Sequence, residues 1–143
     1  MPRFTDIHGK LVEGIPFQAL GQSTFLRLTV GQLFELATAT KRDPNRVLGL
    51  DRLIVVAANA DGTPQTGDDG GVLYTVGDAS FVRDLLLFAL RSGNDSVTYS
   101  DVDEIMEELR GTRTGWLVWL ATQLWESYNL GAFKTDPNPP AEA

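Results

Sequence analysis

Apolar residues are spaced irregularly up to about residue 28 and at helical intervals through most of the chain that follows. Phe4, Ile7, Val12, Ile15 and Phe17 keep no helical period and are broken by Gly9, Gly14 and Pro16. That pattern predicts short strands joined by turns, with His8-Gly9-Lys10 as one turn and Phe25-Leu26-Arg27-Leu28 as a further strand. Thr29 offers an N-cap and Gln32 completes a capping box, ahead of the stripe Leu33, Phe34, Leu36 and Ala37. A short helix ending near Thr40 is expected there. Asp43-Pro44 starts a second helix, with Val47, Leu50, Leu53, Ile54 and Ala57 on one face. The β-branched run Ile54-Val55-Val56 suits a strand, but the length from Pro44 to Asn59 favours a helix, which Asp61-Gly62-Thr63-Pro64 would stop.

Residues 61–71 read as a polar, glycine-rich loop, and Val72 to Thr75 as a brief extended piece. Asp78 caps a third helix that is apolar over most of its circumference, which places it at the centre of the core. Ser100 with Asp103 repeats the capping signature for a fourth helix, lined by Val102, Ile105, Met106 and Leu109 and ended by Gly111. The fifth runs from around Thr114 to about Asn129. The expectation is a mainly α, five-helix bundle-like fold with a small N-terminal β element. A single domain covers residues 1–135, extended over 1–28 and helical over 29–135. Residues 136–143 form an irregular proline-containing tail.

Composition narrows the partners. A chain of 143 residues fits one domain and can bury roughly two thirds of its unfolded surface. Its net charge of −7, from 19 acidic and 12 basic side chains, repels phosphate backbones at long range. The basic residues are scattered, with only Lys41-Arg42 and Arg46 close together, so no nucleic-acid partner is expected. No cysteine is present. Met1 to Lys10 lacks the apolar stretch of a signal, and the longest apolar run, Trp116 to Ala121, falls far short of the ~20 residues that span a bilayer. A cytoplasmic protein without a membrane partner is expected.

The candidate chemistry does not converge. His8 sits in a turn near the N-terminus with no nucleophile placed beside it. Asp101, Asp103, Glu104, Glu107 and Glu108 crowd one helix, where similar environments keep their proton affinities alike and unsuited to acid–base division of labour. Asn59-Ala60-Asp61-Gly62 resembles part of a calcium loop, but Ala57 would occupy the first ligand position and Asp68 the last. Gly67, Gly70 and Gly71 are accompanied by Asp68 and Asp69, which repel phosphate. No enzyme activity, metal or cofactor is expected. What remains is the last helix, whose Trp116, Trp119 and Trp125 cannot all face one way. Its apolar surface exceeds one face, and aromatic residues are enriched where such a surface meets another chain. Trp116, Trp119 and Trp125, with Phe133 just beyond, are the candidate partner-binding residues.

Residues 25–90 resemble the tail assembly chaperones of long-tailed bacteriophages in their order of segments. An extended Phe25 to Thr29 leads into the helix Val30 to Thr40. An apolar Leu53-Ile54-Val55-Val56-Ala57 runs into Asp61-Gly62-Thr63-Pro64, and Leu73-Tyr74-Thr75 precedes Asp78 and a leucine-rich helix. The chain departs from the family pattern by inserting Gln65 to Gly71, and its Trp-rich helix has no counterpart there. The resemblance implies a non-enzymatic role in tail morphogenesis within the host cytoplasm. Such chaperones coat the apolar helices of the tape measure protein, help tail tube subunits polymerise around it, and tend to self-associate. The alternatives are a virion structural subunit (head–tail connector or tail component) and, in another class, a small ligand- or calcium-binding domain using the 61–71 loop.

Overall fold

The computed structural model describes residues 2–130; Phe133 and the tail expected over 136–143 lie outside the described residues. Two hairpins open the chain. β1 (Arg3–Thr5) pairs antiparallel with β2 (Leu11–Glu13), Phe4 opposite Val12. Their turn closes on Asp6, whose Oδ1 accepts the backbone N–H groups of His8 and Lys10 at 2.9 Å each. β3 (Ile15–Ala19) pairs with β4 (Gln22–Leu26) through the two-residue turn Leu20-Gly21. Both turn residues have positive φ, 52° and 77°, the mirror-image geometry whose twist matches that of the strands.

The helices α1 (Val30–Thr40), α2 (Pro44–Leu48), α3 (Ala79–Leu90), α4 (Tyr99–Thr112) and α5 (Trp116–Tyr128) follow. α1 begins as its sequence predicts, with Thr29 and Gln32 forming a reciprocal capping box, and Asp78 caps α3 by accepting from the Phe81 N–H. α3 is the central element. Phe81, Val82, Leu85, Leu86 and Leu90 are buried against α1, α4, α5 and β4. The end of β4 is tied to both neighbouring helices, since the Leu28 N–H donates to the Ser127 carbonyl at 3.3 Å and Ser92 Oγ donates to the Arg27 carbonyl at 2.9 Å.

Three expectations need correction. The helix expected from Pro44 to Asn59 stops at Leu48. Leu50 and Arg52 take left-handed φ values of 51° and 64°, and Val55–Val56 form β5, paired with β6 (Tyr74–Thr75). The β-branched residues found a partner some twenty positions downstream, so the strand alternative prevails. α4 is capped by Thr98 with Asp101 rather than by Ser100 with Asp103. With helices beside three small antiparallel strand pairs, the described chain is a mixed α/β fold rather than a mainly α one.

One aromatic ring locks the hairpins to α3. Phe25 is buried, stacks on Phe4 with centroids 4.7 Å apart, and lies between two glycines. A Cβ on Gly14 would sit 2.8 Å from Phe25 Cδ2, and one on Gly93 would sit 2.7 Å from its Cε1. Neither methyl fits unless the ring moves, and the stack on Phe4 opposes that movement. Gly93→Ala is therefore expected to destabilise the fold by about 1–3 kcal/mol, the usual cost of overfilling a core. Denaturant melts of the variant against Gly111→Ala, where a Cβ meets nothing within 4 Å, check this.

A polar network fastens the opposite side. Arg42, just past α1, donates from Nε and Nη2 to Asp84 Oδ2 at 3.1 and 3.0 Å, and from Nη1 to Asp78 Oδ2 at 3.0 Å. Tyr99 Oη donates to Asp84 Oδ1 at 2.8 Å. Asp84 is only 8% exposed, so α1, α3 and α4 meet around a buried carboxylate with both oxygens engaged.

Candidate functional site

α5 positions the tryptophans. At about 100° per residue, Leu120, Leu124 and Ser127 form the buried stripe of this helix. Trp116 and Trp119 flank that stripe on one side and Trp125 flanks it on the other. All three indoles consequently lie at the margins of the core. Trp116 and Trp119 are half-buried and Trp125 is 39% exposed. The sequence-predicted residues thus share a helix without forming one patch, and Phe133 lies outside the described residues.

Trp119 is the tryptophan with a built surrounding. Its ring stacks on Phe17 of β3 with centroids 6.2 Å apart, and the Arg113 guanidinium lies over it, 3.9 Å from its centroid. Together with Pro16, Leu109 and Glu108 these residues line a groove of about 560 Å³ between the β3–β4 hairpin and the α4–α5 corner. That is a volume suited to a helix side-chain cluster or a small molecule. Gln18 and Thr112 share its lining with these apolar and aromatic residues. Glu108 stands at its rim and accepts the Leu20 N–H at 3.3 Å.

The acidic face of α4 continues outward from that rim. Asp103 is held by Arg83 at 2.7 Å and Glu107 is paired with Arg110, while Glu104 is exposed. The Arg83 contact is the main cause that holds the Asp103 carboxyl below the usual aspartate range. The groove thus opens beside a row of carboxylates, two of them balanced by Arg83 and Arg110.

The other candidates are placed as follows. His8 borders a cleft of about 450 Å³ with Arg27, Glu35, Arg91 and Asp95. Two hydroxyls share that cleft: Thr29 caps α1, and Ser92 donates to the Arg27 carbonyl and accepts from Gln32 Nε2 at 3.0 Å, so both are fixed in structural bonds. Asp61 accepts from Thr63 Oγ1 at 2.6 Å and from the Thr63 N–H at 3.0 Å, and these bonds lower its pKa. Asn59 donates to Thr63 Oγ1. Both side chains are spent inside a turn. Among the described residues no three His, Cys, Asp or Glu side chains are grouped to hold a metal, and no helix is long and apolar enough to cross a membrane.

Phe17 and Arg113 were not singled out from the sequence as site residues, and Glu108 was read only as one of five acids crowding a helix. Pro16-Phe17 carries only a strand signal, and Arg113 lies in a polar stretch between helices. Nothing local announces that both will cover the same indole. No family model, curated protein or solved structure matches the chain.

Proposed function

We propose that this chain is a non-enzymatic bacteriophage tail morphogenesis protein, an assembly chaperone that binds tape measure and tail tube proteins in the host cytoplasm. One observation carries the reading: none of the three tryptophans of α5 is inside the core, and one of them, Trp119, floors an open groove with Phe17 and Leu109. Large aromatic side chains held at the margin of a finished core are the kind of residue that anchors a protein partner. The order of segments over residues 25–90, which resembles tail assembly chaperones, supplies the partner.

The groove suits a tape measure segment on chemical grounds. Tape measure helices are apolar, and Pro16, Phe17, Leu109 and Trp119 give the groove an apolar share of its lining. The acidic face of α4 favours a segment that also carries lysine or arginine, since opposite charge steers encounter and fixes register. Binding would occlude such a helix until tail tube subunits surround it.

Proteomics of purified particles beside pull-downs from infected cells tests the role. The chain is expected to be missing from finished particles and to co-purify with tape measure protein during assembly. Its recovery in particles at a fixed copy number would instead make it a virion structural subunit, and the chaperone reading would be lost.

A further inference from the structure

Three elements converge on the cleft beside His8. The Ile7 N–H, in the β1–β2 turn, donates to the Ser92 carbonyl at 3.0 Å. Gln32, in the first turn of α1, donates from Nε2 to the Phe88 carbonyl at 2.7 Å and to Ser92 Oγ at 3.0 Å. The Arg27 N–H reaches the Ala89 carbonyl at 3.4 Å. The turn, the start of α1 and the end of α3 are thus braced together around an opening of about 450 Å³. A cleft tied through main-chain bonds keeps its shape without a ligand, which lowers the cost of binding one.

The charges that line the cleft are not matched with one another. Arg27 and Arg91 supply two cations, and Glu35 and Asp95 supply two carboxylates. Among the described residues, no ion pair joins either arginine to either carboxylate. Each guanidinium is instead pinned to a main-chain carbonyl, Arg27 Nη1 to that of Glu13 and Arg91 Nε to that of Val97, both at 2.9 Å. A guanidinium fixed by one N–H keeps its other donors for a ligand, and their fork matches a carboxylate. Glu35 and Asp95 are exposed. The third acid at the cleft, Asp6, is already engaged by the His8 and Lys10 amides. His8 borders the same opening and can donate or accept. Ile7, 43% exposed, and the Phe88 ring add apolar contacts.

We propose that this cleft binds a small zwitterion with an apolar side chain, of the α-amino-acid or short-peptide class. An anion alone would face Glu35 and Asp95, and a cation alone would face Arg27 and Arg91. A ligand carrying both charges engages both pairs, and its side chain lies against Ile7 and Phe88. The site is separate from the Trp119 groove and does not rest on the partner proposed for that groove.

NMR titration of the full chain with L-leucine tests the proposal. Leucine is expected to shift the amide signals of His8, Gly31 and Ser92 and to leave the Trp119 indole unmoved. N-acetyl-leucine lacks the ammonium and leucinamide lacks the carboxylate. Each should bind at least about tenfold more weakly than leucine, the loss of one set of charged contacts. Glu35→Gln with Asp95→Asn should weaken leucine by a similar factor without changing N-acetyl-leucine, and Arg91→Met should weaken leucine without changing leucinamide. The probe comparisons on the wild-type chain decide the matter even where a variant fails to fold. The dipeptide Gly-Leu separates the sources: tighter binding than leucine assigns the cleft to peptides, weaker binding to free amino acids, and both uphold the zwitterion. Failure of leucine and Gly-Leu alike to shift the cleft amides at millimolar concentration overturns the proposal. So does binding of either capped form as tightly as leucine.

Discussion

Arg42→Ala is expected to lower folding stability by about 3 kcal/mol, the order found when one partner of a buried ion pair is removed. The cost comes from what stays behind. Asp84 is 8% exposed and would keep the Tyr99 hydrogen bond while losing both guanidinium contacts. A buried carboxylate left with one neutral donor is far from its hydration and short of compensation. Asp78 would lose its bond from Arg42 Nη1 as well. Denaturant melts should show the loss, and Asp84→Ala added to Arg42→Ala should cost much less than the sum of the two single changes, because the orphaned charge goes with it. Arg83→Ala provides the contrast. Its partner Asp103 is as close, at 2.7 Å, but both side chains are well exposed, and such pairs contribute about 0–1 kcal/mol.

The same network sets an acid limit. Burial alone would raise the Asp78 pKa, but hydrogen bonds from Ser80, Arg42 and the Phe81 N–H, with the Arg42 charge, outweigh it and bring the value down. A carboxyl whose pKa is lower folded than unfolded stabilises the fold at neutral pH. That contribution fades as pH drops below the ordinary aspartate range and through the folded value. Arg42→Ala should therefore flatten the acid side of the stability curve as well as lower it.

What the sequence revealed of this fold was mostly local. Thr29 with Gln32 and Asp78 before Phe81 are recognisable because a cap is a bargain between residues two or three apart. The start of α4 was displaced because two capping signatures overlap, Thr98 with Asp101 and Ser100 with Asp103. Both turn Val102, Ile105 and Leu109 inward, so hydrophobic periodicity cannot choose. The helix starts after Thr98, whose Oγ1 accepts from the Asp101 N–H at 3.3 Å while Asp101 Oδ2 accepts from the Thr98 N–H. The segment after Pro44 failed for a different reason. Val47, Leu50, Leu53 and Ile54 fit a helical period, but Leu53 reaches the core through a turn in which Leu50 and Arg52 adopt left-handed backbone. Val55–Val56 is a strand only because Tyr74–Thr75 comes to meet it. The candidate site was half legible on the same principle. Trp119 stood out by residue type, whereas its companions Phe17 and Arg113 become visible only once β3 and the α4–α5 corner are brought together.

Trp119→Ala is expected to weaken capture of a tape measure segment by at least about 30-fold, the 2 kcal/mol or more that marks an aromatic anchor in an interface. The chain should still fold. α5 is held by Leu120, Ala121 and Leu124, all fully buried, whereas the indole is half-buried, in contact with Phe17 and Arg113. Losing it removes one stacking and one cation contact, each of about 1 kcal/mol. Trp119→Phe separates stability from recognition. A phenyl ring keeps the stack on Phe17, so stability should return nearly to wild type, while the shortened floor of the groove recovers only part of the affinity. Trp125→Ala, on the far side of the buried stripe, should leave binding within a fewfold of wild type. Isothermal titration with a tape measure peptide carrying lysine or arginine beside its apolar face would measure all three. If Trp125→Ala abolished the binding and Trp119→Ala did not, the partner would have to lie against the other flank of α5, and the groove would have no part in capture. If wild type bound an acidic apolar peptide as tightly as a basic one, the charge of α4 would have no say in the choice of partner.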